Sequence, residues 1–468
     1  MTVLFVFLSL FGLGGQKMFD DYFTGQTFRF DYYHSGTAKE EHVSLDEIRL
    51  EGPWAGSKVN LIDGSNLGKY LFELVDLKSN KVIYSRGFAS IYGEWETTGE
   101  ASKIWRSFHE SQRFPEPKDK VQLVLKKRQD DGSFSQIYVT TIDPASRFIN
   151  RSPLVSAGEV WTVFESGESA KKVDILILAD GYTAKEKEKF HKDVTRLVGV
   201  MFETEPFKSH KKDFNVRAID IVSNQSGISN PRKAVWRKSA LGLSFNSFDS
   251  DRYVLTYENK NMREMAANAP YDAIIMVAND RKYGGGGIFN LWATVTSDTE
   301  PAAYVFVHEF GHSFAGLGDE YYTSPVSYEN YAMPSVEPWE PNVTGLFDPA
   351  NLKWKHLMEA GTPLPTPWNK DEYDKYEVER QKKREKMVAE KATEEQMEAL
   401  FKEVKEVTTP MLNKNKFFGK VGAFEGAAYE SKGLYRPEID CIMFTRNDVP
   451  FCKVCTESIV KVIKMYAD

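Results

Sequence analysis

Val173-Asp-Ile-Leu-Ile-Leu-Ala179 is a nearly continuous apolar run. A strand this apolar is dry on both faces, so the fold has to cover it on both sides. The chain supplies cover directly afterwards: Phe190, Val194, Leu197 and Met201 recur at helical spacing. Two more apolar strands, Asn215–Val222 and Ala273–Ala278, continue the alternation of strand and helix. The alternation predicts an α/β unit on a mainly parallel sheet, which we place over 155–468.

Upstream the period changes to two. Thr27–Tyr33, Tyr70–Asp76 and Val121–Lys126 alternate polar and apolar residues, with turn signals at Lys78-Ser-Asn80 and Asp130-Asp-Gly132. This predicts an all-β sandwich over 16–145, and 468 residues is in any case too long for one ordinary domain. The segment holds no cluster of catalytic groups, since His34, His42 and His109 are scattered. Asp143–Pro153 reads as a linker. Residues 370–407 are of another kind: 22 of 38 are charged, with both signs mixed, and Thr393-Glu-Glu-Gln396 is a capping box. They are expected to form two solvated helices inserted into the second domain.

Val3–Gly15 is the one long apolar stretch. It is shorter than the ~20 residues that span a bilayer and suits a secretory signal peptide over 1–15, although no Lys or Arg precedes it. With no other transmembrane candidate, the mature chain is expected to be secreted, periplasmic or associated with the cell surface. No bacterial lipid anchor at a cysteine is expected after this run, because the first cysteine is Cys441. The net charge of −7 argues against a nucleic-acid partner. Cys441, Cys452 and Cys455 crowd the C-terminus; an odd number allows one internal disulfide, read as a local staple. The Cys452-x-x-Cys455 spacing also suits a zinc knuckle, but no histidine follows Cys441 to act as a fourth ligand.

The chemistry concentrates in His308-Glu309-Phe-Gly-His312. On a helix, positions i and i+4 share a face, so both imidazoles can reach one metal ion while Glu309 addresses a bound water. Thr299-Glu-Pro301 provides the helix start. The five-residue pattern alone is weak, and its context strengthens it. Gly316 and Gly318 break the helix after His312 and carboxylates follow, so the chain can return a third ligand. Metzincin zinc peptidases place that ligand six residues past the second histidine, which here is Gly318. Asp319 is therefore the expected ligand, with Glu320 the nearest competitor and Glu329 a more distant one. Just before the helix, Tyr283-Gly-Gly-Gly-Gly287 permits close backbone approach, and the strand expected after it suits the edge strand that pairs with an extended substrate. Roughly 130 residues downstream, Met443 in Asp440-Cys-Ile-Met443 is a candidate for the methionine turn beneath a metzincin metal.

These stretches, with Asp180-Gly-Tyr-Thr183, Gly422-Ala-Phe-Glu-Gly-Ala427, Gly433-Leu-Tyr-Arg-Pro437 and Phe451-Cys-Lys-Val-Cys455, resemble the IgA-specific metallopeptidase family over most of 170–468. The resemblance implies a metzincin-like α/β zinc-peptidase domain, with a mixed sheet and an active-site helix, preceded by a β-domain. It implies a secreted zinc endopeptidase of a gut or mucosal bacterium. It also implies one catalytic Zn2+ on His308, His312 and Asp319, and Glu309 as catalytic base. Partners would be protein or peptide substrates, host immunoglobulin or another mucosal glycoprotein among them. Tyr435, Arg436 and Arg446 are candidates for a second oxyanion donor. Two other readings stand beside this one: a zinc hydrolase of small peptides or non-peptide amides, and a catalytically silent surface protein whose sandwich binds glycan or host protein. An intact Glu309 speaks against the last, because binding alone does not need it.

Overall fold

The computed structural model describes residues 15–323 and 334–467. The run expected to be a signal peptide, apart from Gly15, and Glu329 lie outside the described residues. No helix among the described residues is long and apolar enough to cross a membrane.

The N-terminal segment forms two four-stranded sheets. One is ordered β5 (Arg106–Pro117), β1 (Phe23–Gly36), β2 (Glu41–Pro53) and β8 (Ile149–Asn150). The other is ordered β4 (Lys81–Phe88), β3 (Tyr70–Asp76), β6 (Val121–Arg128) and β7 (Phe134–Ile142). Alternate residues of the two sheets share one core. Phe28, Phe30 and Tyr32 of β1 belong to the same buried cluster as Phe72 and Leu74 of β3 and Leu123 and Leu125 of β6. Side chains alternate across a strand, so Arg29 and Asp31 take the other face of β1. That face is not solvated. Arg29 pairs with Asp31 and Glu51 at 2.8 Å and with Glu264 of the second domain at 2.6 Å. Arg113 donates to the Tyr271 carbonyl at 2.9 Å. On this sheet the polar half of the period-two pattern is thus the contact with the next domain.

His34 is fully structural. It stacks on Tyr92 with centroids 4.0 Å apart, and its ring nitrogens meet Glu110 at 3.1 Å and Glu41 at 2.8 Å. Burial alone would lower its pKa, but Glu110 and Glu41 outweigh burial and push it up to about 9. Burial likewise favours the neutral Glu41, yet His34 and Lys127 hold that carboxyl down at about 2. A raised histidine stabilises fully below its unfolded value of 6.5 and loses the effect as pH climbs through 9. The depressed Glu41 stabilises above 4.5 and loses the effect as pH falls toward 2. Stability from this cluster is therefore largest between pH 4.5 and 6.5. At ~1.4 kcal/mol per pKa unit, the alkaline loss is on the order of 3 kcal/mol. Denaturant unfolding at pH 6.5 and 9.5 should show His34→Gln losing less stability over that interval than wild type; equal losses would refute the assignment.

The second domain is built on one six-stranded mixed sheet, ordered β13 (Gly285–Ile288), β14 (Trp292–Thr296), β12 (Ala273–Ala278), β10 (Val173–Asp180), β11 (Phe214–Ile219) and β9 (Val160–Phe164). The four inner strands are parallel, and both edge strands are antiparallel to their neighbours. Every residue of β10 is buried, as its apolar run requires. Asp180 ends β10 by accepting the Leu241 and Leu243 amides at 2.8 and 2.9 Å, which pins a long loop across the strand end. Gly181 has φ 73°, and a Cβ there would sit 2.8 Å from the Gly227 carbonyl oxygen, so only glycine fits. Thr183 and Glu186 then cap the helical segment leading into α1 (Lys187–Glu203). The Asp180–Thr183 motif is accordingly a piece of scaffold.

After α2 (Asn259–Ala266) and β14, helix α3 (Ala302–Ala315) carries the two histidines. It is apolar nearly all round, with Val305, Phe306, Phe310 and Phe314 buried, as befits a helix enclosed in a core. The charged insertion forms α4 (Lys370–Ala389) and α5 (Glu394–Asn413), the second started by the Thr393–Gln396 capping box at 2.8 and 3.3 Å. It extends beyond 407 and is not solvated all round: Tyr373, Glu377, Arg380 and Leu400 are buried. A final helix, α6 (Lys453–Tyr466), packs on α3.

Candidate metal centre

Helix α3 stops at Gly316, whose φ of 63° is the left-handed conformation of a glycine C-cap. The turn presents the Leu317 carbonyl to His312, whose Nδ1 donates to it at 2.5 Å. Four residues earlier, His308 Nδ1 donates to the Ile442 carbonyl at 3.1 Å, and Tyr304 Oη donates to the same oxygen at 3.0 Å. With both Nδ1 atoms committed as donors, both Nε2 atoms carry lone pairs. They point at each other, 3.1 Å apart. Asp319 Oδ1 closes the triangle at 3.1 Å from His308 and 3.2 Å from His312.

Three acceptors converge, and Asp319 Oδ1 is buried without a hydrogen-bond donor. A cation resolves this. Ligand atoms ~2.05 Å from a tetrahedral zinc lie ~3.3 Å from one another, close to the three separations found here. Without a cation, a proton has to serve. Burial pulls His312 down, but the Asp319 carboxylate outweighs it and pushes the imidazole up to about 9. Asp319 itself would be raised by burial, yet the two imidazoles hold it well below the usual carboxylate range. The Tyr429 hydroxyl donates to the other oxygen, Asp319 Oδ2, and so fixes the carboxylate plane. Carbonyl and tyrosine partners of this kind orient metal ligands from behind.

Glu309 shares the cleft with these groups, and its carboxylate makes no hydrogen bond among the described residues. Burial pushes its pKa up, while His308 and His312 pull the other way. Glu320 points away from the triangle: its Oε1 accepts from Asn342 at 2.9 Å and faces Cys455 at 3.3 Å. The same Asn342 brackets Gly318 through bonds of 2.7 and 2.9 Å, which sets where Asp319 emerges. Met443 is fully buried, and its sulfur would lie 3.3 Å from a Cβ on Gly311, under the helix between the two histidines. Its turn does more than fill space, since Ile442 holds His308 and the Met443 carbonyl accepts the Glu320 amide at 2.8 Å.

The edge strand begins earlier than expected, within the glycine block. Gly285–Gly287 are themselves the edge strand β13, and β14 follows a turn at Asn290. A Cβ at Gly287 would lie 2.4 Å from the Glu309 carbonyl oxygen and 2.9 Å from His312 Cβ, so helix and strand meet only because the side chain is absent. The outer edge of Gly285 is already taken: it donates to Arg252 and accepts from Val254 at 3.2 and 3.0 Å. Strand alternation turns Gly287 the same way, with no such partner among the described residues.

The centre opens into a cleft of about 410 Å³. Gly93 and Glu94 of a short helix in the N-terminal domain (Ile91–Trp95), Trp339, and Tyr373 and Phe401 of the helical pair stand in its walls. Of Tyr435, Arg436 and Arg446, only Arg446 lines it, paired with Glu398 at 2.8 Å. Arg436 is buried and serves the Gly426 and Ile439 carbonyls.

A family model described as IgA Peptidase M64 matches residues 162–463, and one described as Peptidase M64 N-terminus matches 18–139. The chain belongs to the IgA peptidase M64 family. As an M64 chain it is a peptidase, its substrates are proteins or peptides, and the family implies metal dependence. Among curated proteins none matches the chain.

Sequence reasoning missed several supporting groups of this M64 centre. Tyr304 was within reach of it, being four residues before His308 on the same helix. Tyr429 and Asn342 carried no local signal, because only the tertiary fold brings them to Asp319 and Gly318.

Proposed function

We propose that the chain is a zinc-dependent endopeptidase in which His308, His312 and Asp319 hold the ion and Glu309 is the general base. The observation that carries this is the triangle of lone-pair donors, 3.1 to 3.2 Å on each side, around a carboxylate oxygen that has no donor of its own. A zinc ion bound there would polarise the scissile carbonyl and acidify a water from 15.7 to roughly 7. Glu309, beside the two imidazoles, would accept a proton from the attacking water and return it to the leaving amine. Its burial supports this, because a carboxylate of raised pKa is a stronger base. The peptide lies extended along β13 and pairs with the open backbone of Gly287. Of the three candidates for an oxyanion donor, Arg446 alone lines the cleft, and it would serve only after release from Glu398.

We assign 16–145 as a β-sandwich domain and 155–468 as a metzincin-like peptidase domain, with the helical pair that begins at 370 and runs past 407 inserted and Met443 as its methionine turn. Two facing sheets with one core support the first, and a helix and methionine-bearing turn packed around the metal ligands support the second. The apolar run at 3–15 supports export, and the family's description supports host IgA or another mucosal glycoprotein as substrate. The test is chelation. Dialysis against a strong chelator should abolish cleavage of a protein substrate, and stoichiometric zinc should restore it. Undiminished cleavage by metal-free protein would end this reading.

A further inference from the structure

A second cluster of metal-ligand type lies behind the first. Cys441, Cys452 and Cys455 converge with Glu320, and one donor atom from each lies within 4.8 Å of all the others. We propose that these four residues bind a second, structural zinc ion, in a Cys3Glu site that none of the catalytic roles requires.

The distances fit a filled tetrahedron. Zinc–thiolate bonds of ~2.3 Å put sulfurs ~3.8 Å apart and a carboxylate oxygen ~3.5 Å from each sulfur. Cys441 Sγ and Cys455 Sγ are 3.9 Å apart, and Glu320 Oε1 is 3.3 Å from Cys455 Sγ and 3.9 Å from Cys452 Sγ. Two of the sulfurs accept amides, as thiolates do. Cys441 Sγ accepts the Cys452 and Met443 amides at 3.2 and 3.5 Å, and Cys452 Sγ accepts the Cys455 amide at 3.4 Å. Cys452 caps α6 and Cys455 lies in its first turn, where helix amides favour negative sulfur. Three sulfurs select zinc over magnesium or calcium.

A disulfide accounts for less. It would join two of the sulfurs and leave the third thiol against a carboxylate that is completely buried and whose Oε2 has no partner. Burying such a carboxylate unpaired is costly, and a cation removes the cost. The fourth ligand comes from 132 residues before Cys452, out of reach of any motif read along the C-terminus.

The ligands also sit beside those of the first centre. Glu320 follows Asp319, and Ile442, whose carbonyl orients His308, follows Cys441. The second ion would therefore clamp the chain after α3, the methionine-bearing turn and α6 into one unit, which positions two catalytic ligands from behind.

The experiment separates the two centres. Full-length protein is equilibrated with zinc, freed of excess by gel filtration and analysed for metal. We expect two zinc per chain in wild type and one in the His308→Ala/His312→Ala variant. Loaded with cobalt, that variant should show the intense sulfur-to-cobalt charge-transfer absorption of a thiolate site, and Cys452→Ser/Cys455→Ser should lack it. Unfolded in chelator, wild type should titrate three thiols. Absence of metal and of the charge-transfer band in the folded histidine variant would overturn the proposal, as would one titratable thiol with a disulfide-linked peptide. If the cysteine variant does not fold, the histidine variant and the thiol count decide alone. A single zinc per chain in wild type, unchanged in the histidine variant and lost with the cysteines, would sink the catalytic reading and leave this one standing.

Discussion

Glu309→Ala is expected to lower the rate of peptide cleavage by about 10²–10⁴-fold, the range of a general base, while metal content and unfolding midpoint stay near wild type. The reason is geometric. Glu309 is in the cleft but contributes no atom to the triangle of His308, His312 and Asp319, and its carboxylate bonds to none of the described residues. Removing it takes away no ligand and no structural hydrogen bond. Kinetics on a protein substrate, with metal analysis of the same sample, provide the check. Wild-type kcat in the variant would show that another group moves the proton, and metal lost together with activity would make Glu309 a ligand instead.

Asp319→Ala should weaken metal binding by more than about a hundredfold, exceeding the 10–100-fold typical of a partner that only orients a ligand. Asp319 supplies the third donor atom and also the negative charge that holds two imidazoles 3.1 Å apart. Glu320 cannot replace it, since its side chain is turned toward Asn342 and Cys455. Competition with a chromophoric chelator reports the affinity. Tyr429→Phe, which leaves the ligand and removes only its hydroxyl partner, should show a smaller loss. Equal losses in the two variants, or zinc held by Asp319→Ala as tightly as by wild type, would remove Asp319 from the ligand set.

The helical pair α4–α5 shows how composition misleads about position. A segment that is mostly charged reads as solvated, and most of its residues are. Yet Tyr322 donates to Asp374 at 2.6 Å and Thr323 to Glu377 at 2.7 Å, so α4 grips the chain three and four residues past Asp319. Arg380 neutralises Glu377 in the same buried spot. Such contacts depend on pairing across the fold, and local charge density carries no record of them.

Local patterning determined what is local in this protein. Period-two alternation marked the N-terminal strands, an unbroken apolar run marked β10, and i, i+4 spacing put His308 and His312 on one face of α3 ahead of a glycine stop. These are short-range consequences of backbone geometry, so neighbouring residues suffice to reveal them. The tertiary structure alone decided which carboxylate completes each cluster. Asp319 and Glu320 are adjacent and chemically similar, yet Asn342 and the Met443 carbonyl rotate one toward the histidines and the other toward three cysteines more than a hundred residues away. That choice is made by hydrogen bonds closing between distant segments, and a chain must be folded before such bonds exist.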